Sequence, residues 1–353
     1  MQSVFFRFIS GIYLKNFFII FFGLLAFFLS VDLLVNLQNL PSAANLFLLY
    51  IVFLACSAIQ YILPVALIFA LVLSMISIIR SNEFVSFCAL GLSKNLIILY
   101  PFLWALFFCF IYVALNFTPF AYASSYQKNI VNNAELMRQS DNVFIKYDDS
   151  YIYIKSLDPS KNEVLGMKIF SLKDLNISEV IDAKKANFQD SFWLLEDGLS
   201  ISFPENLELL GKGLEVKEFK NLQALNDFKP KLIESVASKS TYTIMDALDS
   251  IIVLQKQGVN IWSVKTELYK LIFAPFFAPF LMLIIYYFFP ITARFFNLAF
   301  LSFVFFIVVL GIWGLLFLLI RLSEGRVLLP EIGIILPVLL LALTALMSFR
   351  KHK

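Results

Sequence analysis

Six long apolar runs restrict the fold of this chain more than any other sequence feature. A transmembrane helix needs about 20 consecutive apolar residues to cross the hydrocarbon core of a bilayer. Hydrophobic residues make up 60% of the chain and charged residues 15%, whereas soluble domains carry about 25% charge. We therefore predict an integral membrane protein with six spans. The runs cover residues 17–35, 57–79, 96–119, 268–290, 297–320 and 331–349.

The second apolar run is longer than one bilayer crossing. It extends from Leu46 to Ile79, and as a helix it would measure about 50 Å. A proline inside a helix removes a backbone hydrogen bond and clashes with the preceding turn. We therefore expect Pro64 to break this run and to leave residues 46–60 as a separate interfacial helix. Pro275 and Pro279 lie four residues apart in the fourth span, and with Pro64 they are candidate hinges.

A polar insert, residues 121–265, separates spans 1–3 (residues 1–120) from spans 4–6 (residues 266–353). It holds 20 of the 25 Asp and Glu residues. Alternating apolar residues predict a β-sandwich or jelly-roll domain here. A capping box at Thr243 and Asp246 predicts a helix that ends near Gly258. The predicted strands are a hairpin of 142–147 and 151–156 around the turn 148–150, then 164–171, 177–182, 185–189, 191–196, 199–203 and 214–219.

The basic residues beside the short loops predict the orientation, because cytoplasmic loops carry an excess of Lys and Arg. One side of the membrane would hold only Arg321 and Arg326. Both termini and the loops 80–95 and 290–296 are therefore expected in the cytoplasm, and the insert on the outer side. The cations on the cytoplasmic side would be Arg7, Lys15, Arg80, Lys94, Arg294, Arg350, Lys351 and Lys353.

Residues for covalent chemistry are sparse in this sequence. The single histidine, His352, lies in the basic tail, so no histidine-based metal site or histidine-dependent nucleophile is expected. The segment 211–213 lacks the upstream glycine and the hydroxyl residue of a phosphate-binding loop. We expect no catalytic residue, metal or bound cofactor in this chain, and no nucleic-acid partner. Any ATP and Mg²⁺ would be bound by a separate ATPase chain.

The loop 80–95 is the best candidate for contact with such a partner. Ser81 or Asn82 is suited to cap a short helix with Glu83 in its first turn, and Gly91 to end it. An aromatic face on this helix would suit a partner's groove. The alternative is that the loop only turns the chain between two spans. The candidate contact residues are Arg80, Ser81, Asn82, Glu83, Phe84, Phe87 and Gly91, with Cys88 on the same face as the two phenylalanines.

Cations near the outer ends of the spans form a second candidate set, suited to an anionic lipid. Ionisable groups inside membranes are often functional. For any single residue, snorkelling or pairing is the simpler explanation, for instance Glu267 with Lys270 at i,i+3. Asp32 lies in the corresponding region of the first span. The candidate lipid contacts are Lys128, Lys270, Arg321 and Arg326.

The segment Arg80-Ser-Asn-Glu83, followed by Ala89-Leu-Gly91-Leu-Ser93, resembles the signature of the LptF/LptG permease family. The resemblance covers nearly the whole chain. The region 142–171 and the segment around Trp262 resemble LptG more than LptF. Other matching segments are Leu63-Pro64, Lys256-x-Gly258, Tyr269-Lys270 with Pro275, and the basic end Arg350–Lys353.

This resemblance implies a permease subunit of an ABC transporter in the bacterial inner membrane that extracts lipopolysaccharide. Its implied partners are an LptB-like ATPase dimer that binds ATP and Mg²⁺, a sister LptF-like permease, and an LptC-like and LptA-like periplasmic bridge. Glu83 would lie on the coupling helix in the ATPase groove, and the insert would be a periplasmic jelly-roll. Relatives carry lysines at the outer end of the first span, whereas residues 31–39 contain no cation.

Two other functions fit parts of the pattern. Another lipid or lipoprotein-release permease would also be coupled to an ATPase, but four spans with the insert after the first would mark the lipoprotein-release kind. A membrane receptor with an extracytoplasmic sensor domain would not depend on Glu83 for lipid export.

Overall fold

The chain forms two compact units. The membrane unit comprises Met1–Ser124 and Lys265–Lys353, and the β unit comprises Ser125–Val264. The computed structural model describes residues 2–41, 43–133, 140–147, 150–158, 162–173, 176–189, 191–204, 213–226, 228, 241–256, 261–292 and 297–351.

Six helical segments are long and apolar enough to cross a membrane, which confirms the predicted number of spans among the described residues. Span 4 contains a 3₁₀ turn at Ala274–Phe276, and span 6 opens with a π-helical turn at Glu331–Ile335. The helices of this part of the chain are α1 (Gln2–Val35), α2 (Ala44–Arg80), α3 (Glu83–Ala89), α4 (Lys94–Leu115), α7 (Trp262–Phe273), α8 (Phe277–Tyr287), α9 (Leu298–Glu324) and α10 (Leu336–Lys351). Between them in the sequence lie α5 (Ala123–Asn133) and α6 (Ile244–Lys256).

The predicted break at Pro64 is wrong. Helix α2 runs without interruption for 37 residues, with Pro64 inside it. Pro64 and its neighbours Leu63 and Val65 are all buried against other helices. Packing of this kind lets a transmembrane helix tolerate proline, because the neighbours compensate for the missing hydrogen bond. No separate interfacial helix forms at residues 46–60.

Polar side chains inside the membrane unit pair across helices. The Asn16 amide of α1 donates to the Ser74 hydroxyl of α2 at 2.9 Å. The Tyr13 hydroxyl donates to the backbone oxygen of Leu67 at 3.2 Å. Tyr13 is completely buried. Since an unpaired polar group in hydrocarbon is costly, these bonds fix the position of α1 along α2.

The β unit contains one antiparallel sheet in which each strand pairs with the next in sequence. Its strands are β1 (Ser140–Tyr147), β2 (Ser150–Asp158), β3 (Glu163–Lys173), β4 (Asn176–Gln189), β5 (Phe192–Ser202) and β6 (Glu215–Ala224). The described strands form a single sheet, so closure into a sandwich or jelly-roll stays a prediction.

Three details of the strand prediction are corrected. Strand β4 is continuous where two strands, 177–182 and 185–189, were predicted. Strand β5 is likewise continuous in place of the predicted strands 191–196 and 199–203. Asp197 and Gly198 look like a turn in sequence, but the β4–β5 register is the same on both sides of Asp197. Ser150 pairs with Tyr147 and so belongs to β2 instead of the turn.

The apolar face of the sheet packs on a segment that follows β6. Trp193 is fully buried, and its indole N–H donates to the backbone oxygen of Phe228 at 2.5 Å. The Tyr147 hydroxyl donates to the backbone oxygen of Asn226 at 2.6 Å. These bonds satisfy the polar ends of two large aromatic side chains inside the core.

The predicted helix after the strands is present as α6. Thr243 accepts a hydrogen bond from the backbone N–H of Asp246 at 3.1 Å and donates to its carboxylate at 2.6 Å. The Thr243 cap is therefore confirmed. The predicted end at Gly258 lies outside the described residues.

Substitution of Gly198 by alanine should destabilise the β unit. A Cβ atom at this position would lie 2.5 Å from the backbone oxygen of Asp182 on the neighbouring strand. Overpacking of this kind costs about 1–3 kcal/mol. Thermal unfolding of the purified full-length protein in detergent measures the loss. Gly213→Ala is the matched control, because no atom lies within 4 Å of its added Cβ. An equal effect of the two substitutions would contradict the prediction.

Candidate coupling helix and charge cluster

The loop 80–95 contains the predicted short helix, α3, with Glu83 as its first residue. Gly91 follows it with φ of 80°, and the amide of Leu92 donates to the oxygen of Phe87 at 3.1 Å. A glycine in this left-handed conformation is a common helix end. Helix α4 then begins under a cap from Ser93, whose hydroxyl accepts from the amide of Leu96 at 3.2 Å.

The predicted side-chain cap at the start of α3 is not formed. Asn82 occupies the capping position with φ of 59° and makes no capping bond with its side chain. The Ser81 hydroxyl donates back to the carbonyls of Ser77 and Ile78 at the end of α2. A left-handed Asn82 instead makes the sharp turn between α2 and α3, a conformation that asparagine tolerates better than most residues.

The aromatic face of α3 packs on its own bundle, which corrects the expectation that it is offered to a partner. Phe84 is 1% exposed and makes an edge contact with Tyr286 of α8, with ring centroids 6.4 Å apart. Phe87 is half-buried against Phe5 of α1, at a centroid distance of 5.0 Å. Phe84 therefore anchors α3 and is inaccessible to a second chain in this conformation.

The surface that α3 leaves open carries Glu83. Glu83 is half-buried and makes no ion pair or side-chain hydrogen bond within the described part of the chain. Its carboxylate is therefore open to a cation from another molecule. The exposed residues around it are Arg80, Ser81, Asn82, Ser86, Leu90 and Gly91.

A hydrogen-bonded cluster behind α3 joins three spans, and the sequence patterns did not indicate it. The Tyr286 hydroxyl donates to the backbone oxygen of Lys94 at 2.7 Å. The Tyr287 hydroxyl donates to Asn95 Oδ1 at 2.8 Å, and Asn95 Nδ2 donates to the backbone oxygen of Phe349 at 3.1 Å. Displacement of α3 would therefore act on α8, and through Asn95 on α4 and α10.

Two of the four candidate lipid cations belong to an ion-pair cluster at the opposite end of the membrane unit. Lys270 of α7 lies 2.6 Å from Glu267 and 3.4 Å from Glu324 of α9. Arg321 lies 2.7 Å from the same Glu324, and its guanidinium stacks over Phe317 at 4.9 Å. The expected pairing of Glu267 with Lys270 is confirmed. With two cations and two carboxylates, the cluster is neutral.

A second ion pair ties α7 to the π-helical turn of span 6. Lys265 lies 3.3 Å from Glu331, and the Tyr269 hydroxyl donates to the same carboxylate at 3.4 Å. Together with the contacts of Lys270, this pair joins spans 4, 5 and 6. Glu324 and Glu331 are 54 and 66 residues away from their partner lysines, a separation that helical spacing rules do not cover.

The structure does not bring the other two candidate cations into this cluster. Arg326 is exposed, with φ of 60°, and forms no ion pair with a described residue. Lys128 is exposed on α5 in the β unit. Asp32, at the end of α1, accepts hydrogen bonds from the Tyr50 hydroxyl and from Asn36 Nδ2. The half-buried Asp32 carboxylate is therefore held in place by its own neighbours.

Substitution of Lys270 by methionine should destabilise the membrane unit by about 3 kcal/mol, because it leaves the poorly hydrated Glu267 carboxylate without its cation. The Lys270 side chain is 15% exposed, whereas that of Arg321 is 57% exposed. Arg321→Met is the matched control and should cost about 1 kcal/mol or less. Thermal unfolding in detergent measures both. Unchanged stability in Lys270→Met would show that Lys270 is free for another ligand.

Of the two candidate hinge prolines in span 4, Pro275 lies where the helix is irregular and Pro279 lies in the first turn of α8. The 3₁₀ turn Ala274–Phe276 contains Pro275. In a regular α-helix the oxygen of Pro275 would pair with the amide of residue 279, but Pro279 has no N–H. The buried Cys109 thiol of α4 donates to this oxygen at 3.4 Å. The hydrogen bond from Cys109 of the neighbouring span therefore stabilises this irregular turn.

The six spans, the β unit and the short helix between spans 2 and 3 define a multi-pass membrane protein with a folded polar insert. Over residues 7–351 the chain matches the family described as lipopolysaccharide export system permease LptF/LptG. The chain therefore belongs to the LptF/LptG family, whose members are transporter permeases. No individual curated protein matches the chain. The family match does not separate LptG from LptF.

Proposed function

We propose that this chain is one permease subunit of an ABC transporter that extracts lipopolysaccharide from the bacterial inner membrane and passes it to a periplasmic bridge. The observation that carries this proposal is the family match over residues 7–351. The partners would be an LptB-like ATPase dimer that binds ATP and Mg²⁺, a sister permease, and LptC-like and LptA-like bridge proteins. By its resemblances the chain would be the LptG-like subunit.

The proposed orientation places α3 and both termini in the cytoplasm and the β unit in the periplasm. It is supported by the distribution of cations, because Arg7, Lys15, Arg80, Lys94 and Arg350 all lie toward the α3 end of their helices. The β unit would form a jelly-roll that receives the lipid. Single cysteines at Ser86 and Gly213, in a chain without its three native cysteines, would test the orientation. Only the Gly213→Cys variant should react with a membrane-impermeant maleimide applied from the periplasm.

The proposed coupling step begins at Glu83. An ATPase groove that holds α3 through this carboxylate would pull on Phe84 and Phe87, which are packed against α8 and α1. Because packed cores are bistable and not continuously deformable, a small displacement of α3 would shift whole spans. The contacts of Tyr286 and Tyr287 extend the same movement to α4 and α10.

The lipid phosphates would be bound by cations that have no carboxylate partner. Lys270 and Arg321 are neutralised by Glu267 and Glu324, which supports a structural role for both. Arg326 and Lys128 are exposed, and we propose them as the lipid contacts.

Copurification tests the proposal most simply. The tagged chain, solubilised from cells, should retain an ATPase, a second six-span protein and lipopolysaccharide. Absence of both proteins would contradict the proposed assembly. Glu83→Lys should lose the ATPase and keep the second permease, which separates failure of the coupling site from failure of the whole assembly.

A further inference from the structure

A groove on the membrane unit lies between three spans, α4, α8 and α10, on the α3 side of the bundle. Its volume is about 220 Å³, and every side chain that lines it is apolar. Leu346 at its edge is 46% exposed, so the groove opens to the surroundings of the protein. The principal lining residues are Leu99, Phe102, Phe280, Leu283, Ala342 and Leu346.

The lining of this groove suits a hydrocarbon chain. It offers no polar side chain to orient a polar ligand, and its volume is below the roughly 300 Å³ at which pockets begin to enclose a whole drug-sized molecule. Along α10 it extends from Ala342 to Phe349, which is about 10 Å at the helical rise. Since these helices cross the membrane, a segment of an acyl chain from a neighbouring lipid has the right shape and chemistry.

Basic residues cluster at one end of the groove. Asn95 Nδ2 donates to the backbone oxygen of Phe349 at 3.1 Å, so the start of α4 meets the end of α10 where Phe349 lines the groove. Lys94 is the first residue of α4, and Arg350 and Lys351 are in the last turn of α10. None of these three cations forms an ion pair with the residues that the structure describes. These three positive charges therefore lie at the ends of the two helices, α4 and α10, that border the apolar groove.

We propose that this groove binds an anionic phospholipid of the cytoplasmic leaflet, with an acyl chain between α4, α8 and α10 and the headgroup phosphate against Lys94, Arg350 and Lys351. Basic pockets between transmembrane helices are the usual recognition sites for anionic headgroups on this side of a membrane. A zwitterionic lipid would fill the groove equally well but would gain less from the three cations. The inference rests on the proposed membrane orientation and not on lipopolysaccharide export.

A bound lipid at this position would stabilise the junction behind α3. The groove is lined by Phe349, whose backbone oxygen accepts the Asn95 bond, and by α8, which ends in the two tyrosines of the same cluster. An acyl chain in the groove would therefore support the three spans through which α3 acts. Anionic lipid is thus expected to influence how firmly α3 is held.

Photocrosslinking tests the proposal on the purified full-length protein in nanodiscs of phosphatidylethanolamine. Each nanodisc preparation contains a small amount of one lipid that carries a diazirine on its acyl chain. This probe is phosphatidylglycerol in one preparation and phosphatidylethanolamine in the comparison. Mass spectrometry maps the labelled peptides. We expect phosphatidylglycerol to label α4, α8 and α10 at least fivefold more than phosphatidylethanolamine does, given that each cation contributes about fivefold. Equal labelling by the two lipids would overturn the proposal.

Two variants separate the headgroup contact from the groove. The triple substitution Lys94→Gln, Arg350→Gln and Lys351→Gln should reduce phosphatidylglycerol labelling to the phosphatidylethanolamine level. Ala342→Phe, which fills the groove, should reduce labelling by both lipids, whereas Leu340→Phe on the exposed side of α10 should not.

A third variant tests whether the lipid preference reflects only the net positive charge at this end of the membrane unit. Arg7→Gln with Lys15→Gln removes two exposed cations of α1 and should leave the selectivity unchanged. If it lowers selectivity as much as the triple variant, the preference reflects the net charge of this end and the site is excluded. Recovery of lipopolysaccharide in the groove, identified by its mass, would also overturn the proposal.

Discussion

Substitution of Glu83 by alanine is expected to reduce ATP-dependent lipopolysaccharide export at least about tenfold and to leave the amount of folded protein unchanged. The Glu83 carboxylate has no partner within the described residues, so its removal costs the isolated chain little. A hydrogen bond to a charged group in a partner contributes about 1.5–3 kcal/mol, which corresponds to about ten-fold to 100-fold in affinity. Transfer of radiolabelled lipopolysaccharide from proteoliposomes, together with pull-down of the ATPase, measures the loss.

The control for Glu83 lies on the same helix. Ser86 is exposed on α3, and among the described residues its hydroxyl bonds only to the carbonyl of Asn82. Ser86→Ala should leave export unchanged, and Glu83→Gln should be intermediate because it keeps a polar side chain without the charge. Normal export by Glu83→Ala would contradict the coupling role and would favour the receptor alternative.

Substitution of Phe84 by alanine should uncouple ATP hydrolysis from export without releasing the ATPase. Phe84 is 1% exposed, and truncation of a buried phenylalanine costs about 3–5 kcal/mol. The lost packing energy weakens the junction between α3 and Tyr286, while Glu83 remains available to the partner. We therefore expect ATPase binding close to that of the native protein and export reduced at least about tenfold. The two measurements are ATP turnover and lipopolysaccharide transfer in the same proteoliposomes.

The matched control for Phe84 distinguishes this junction from general damage. Phe84→Leu keeps most of the apolar volume and should recover most of the coupling. Phe117→Ala removes a phenylalanine that is 48% exposed and should have no effect on either measurement. Release of the ATPase by Phe84→Ala would contradict the account, since it would place Phe84 in the partner contact.

The periodicity of apolar residues was sufficient to predict the six spans, most of the strands and the helix capped by Thr243. These features depend on local sequence. A run of about twenty apolar residues favours a membrane-spanning helix, and alternating apolar residues favour a strand with one buried face. The break at Pro64 was mispredicted for the opposite reason. Whether a proline ends a helix depends on what packs around it, and α2 packs against α8, which lies about 200 positions further along the chain.

The sequence predicted where in the chain the candidate sites lie, but not which residues they contact. The Arg80–Glu83 segment was located from sequence, yet a helix of seven residues has too few turns to reveal which face is buried. Only the tertiary structure shows Phe84 against Tyr286, about 200 positions further along the chain. In the charge cluster, Glu267 was predictable at i,i+3 from Lys270, whereas Glu324 comes from another span.

The most direct test of the central claim is the release of lipopolysaccharide from proteoliposomes that contain this chain with its ATPase and sister permease. With ATP and Mg²⁺ on the α3 side, lipopolysaccharide should move to a soluble periplasmic acceptor protein, and omission of this chain should abolish the transfer. Transfer that proceeds equally well without this chain, or hydrolysis of ATP with no lipopolysaccharide moved, would contradict the account.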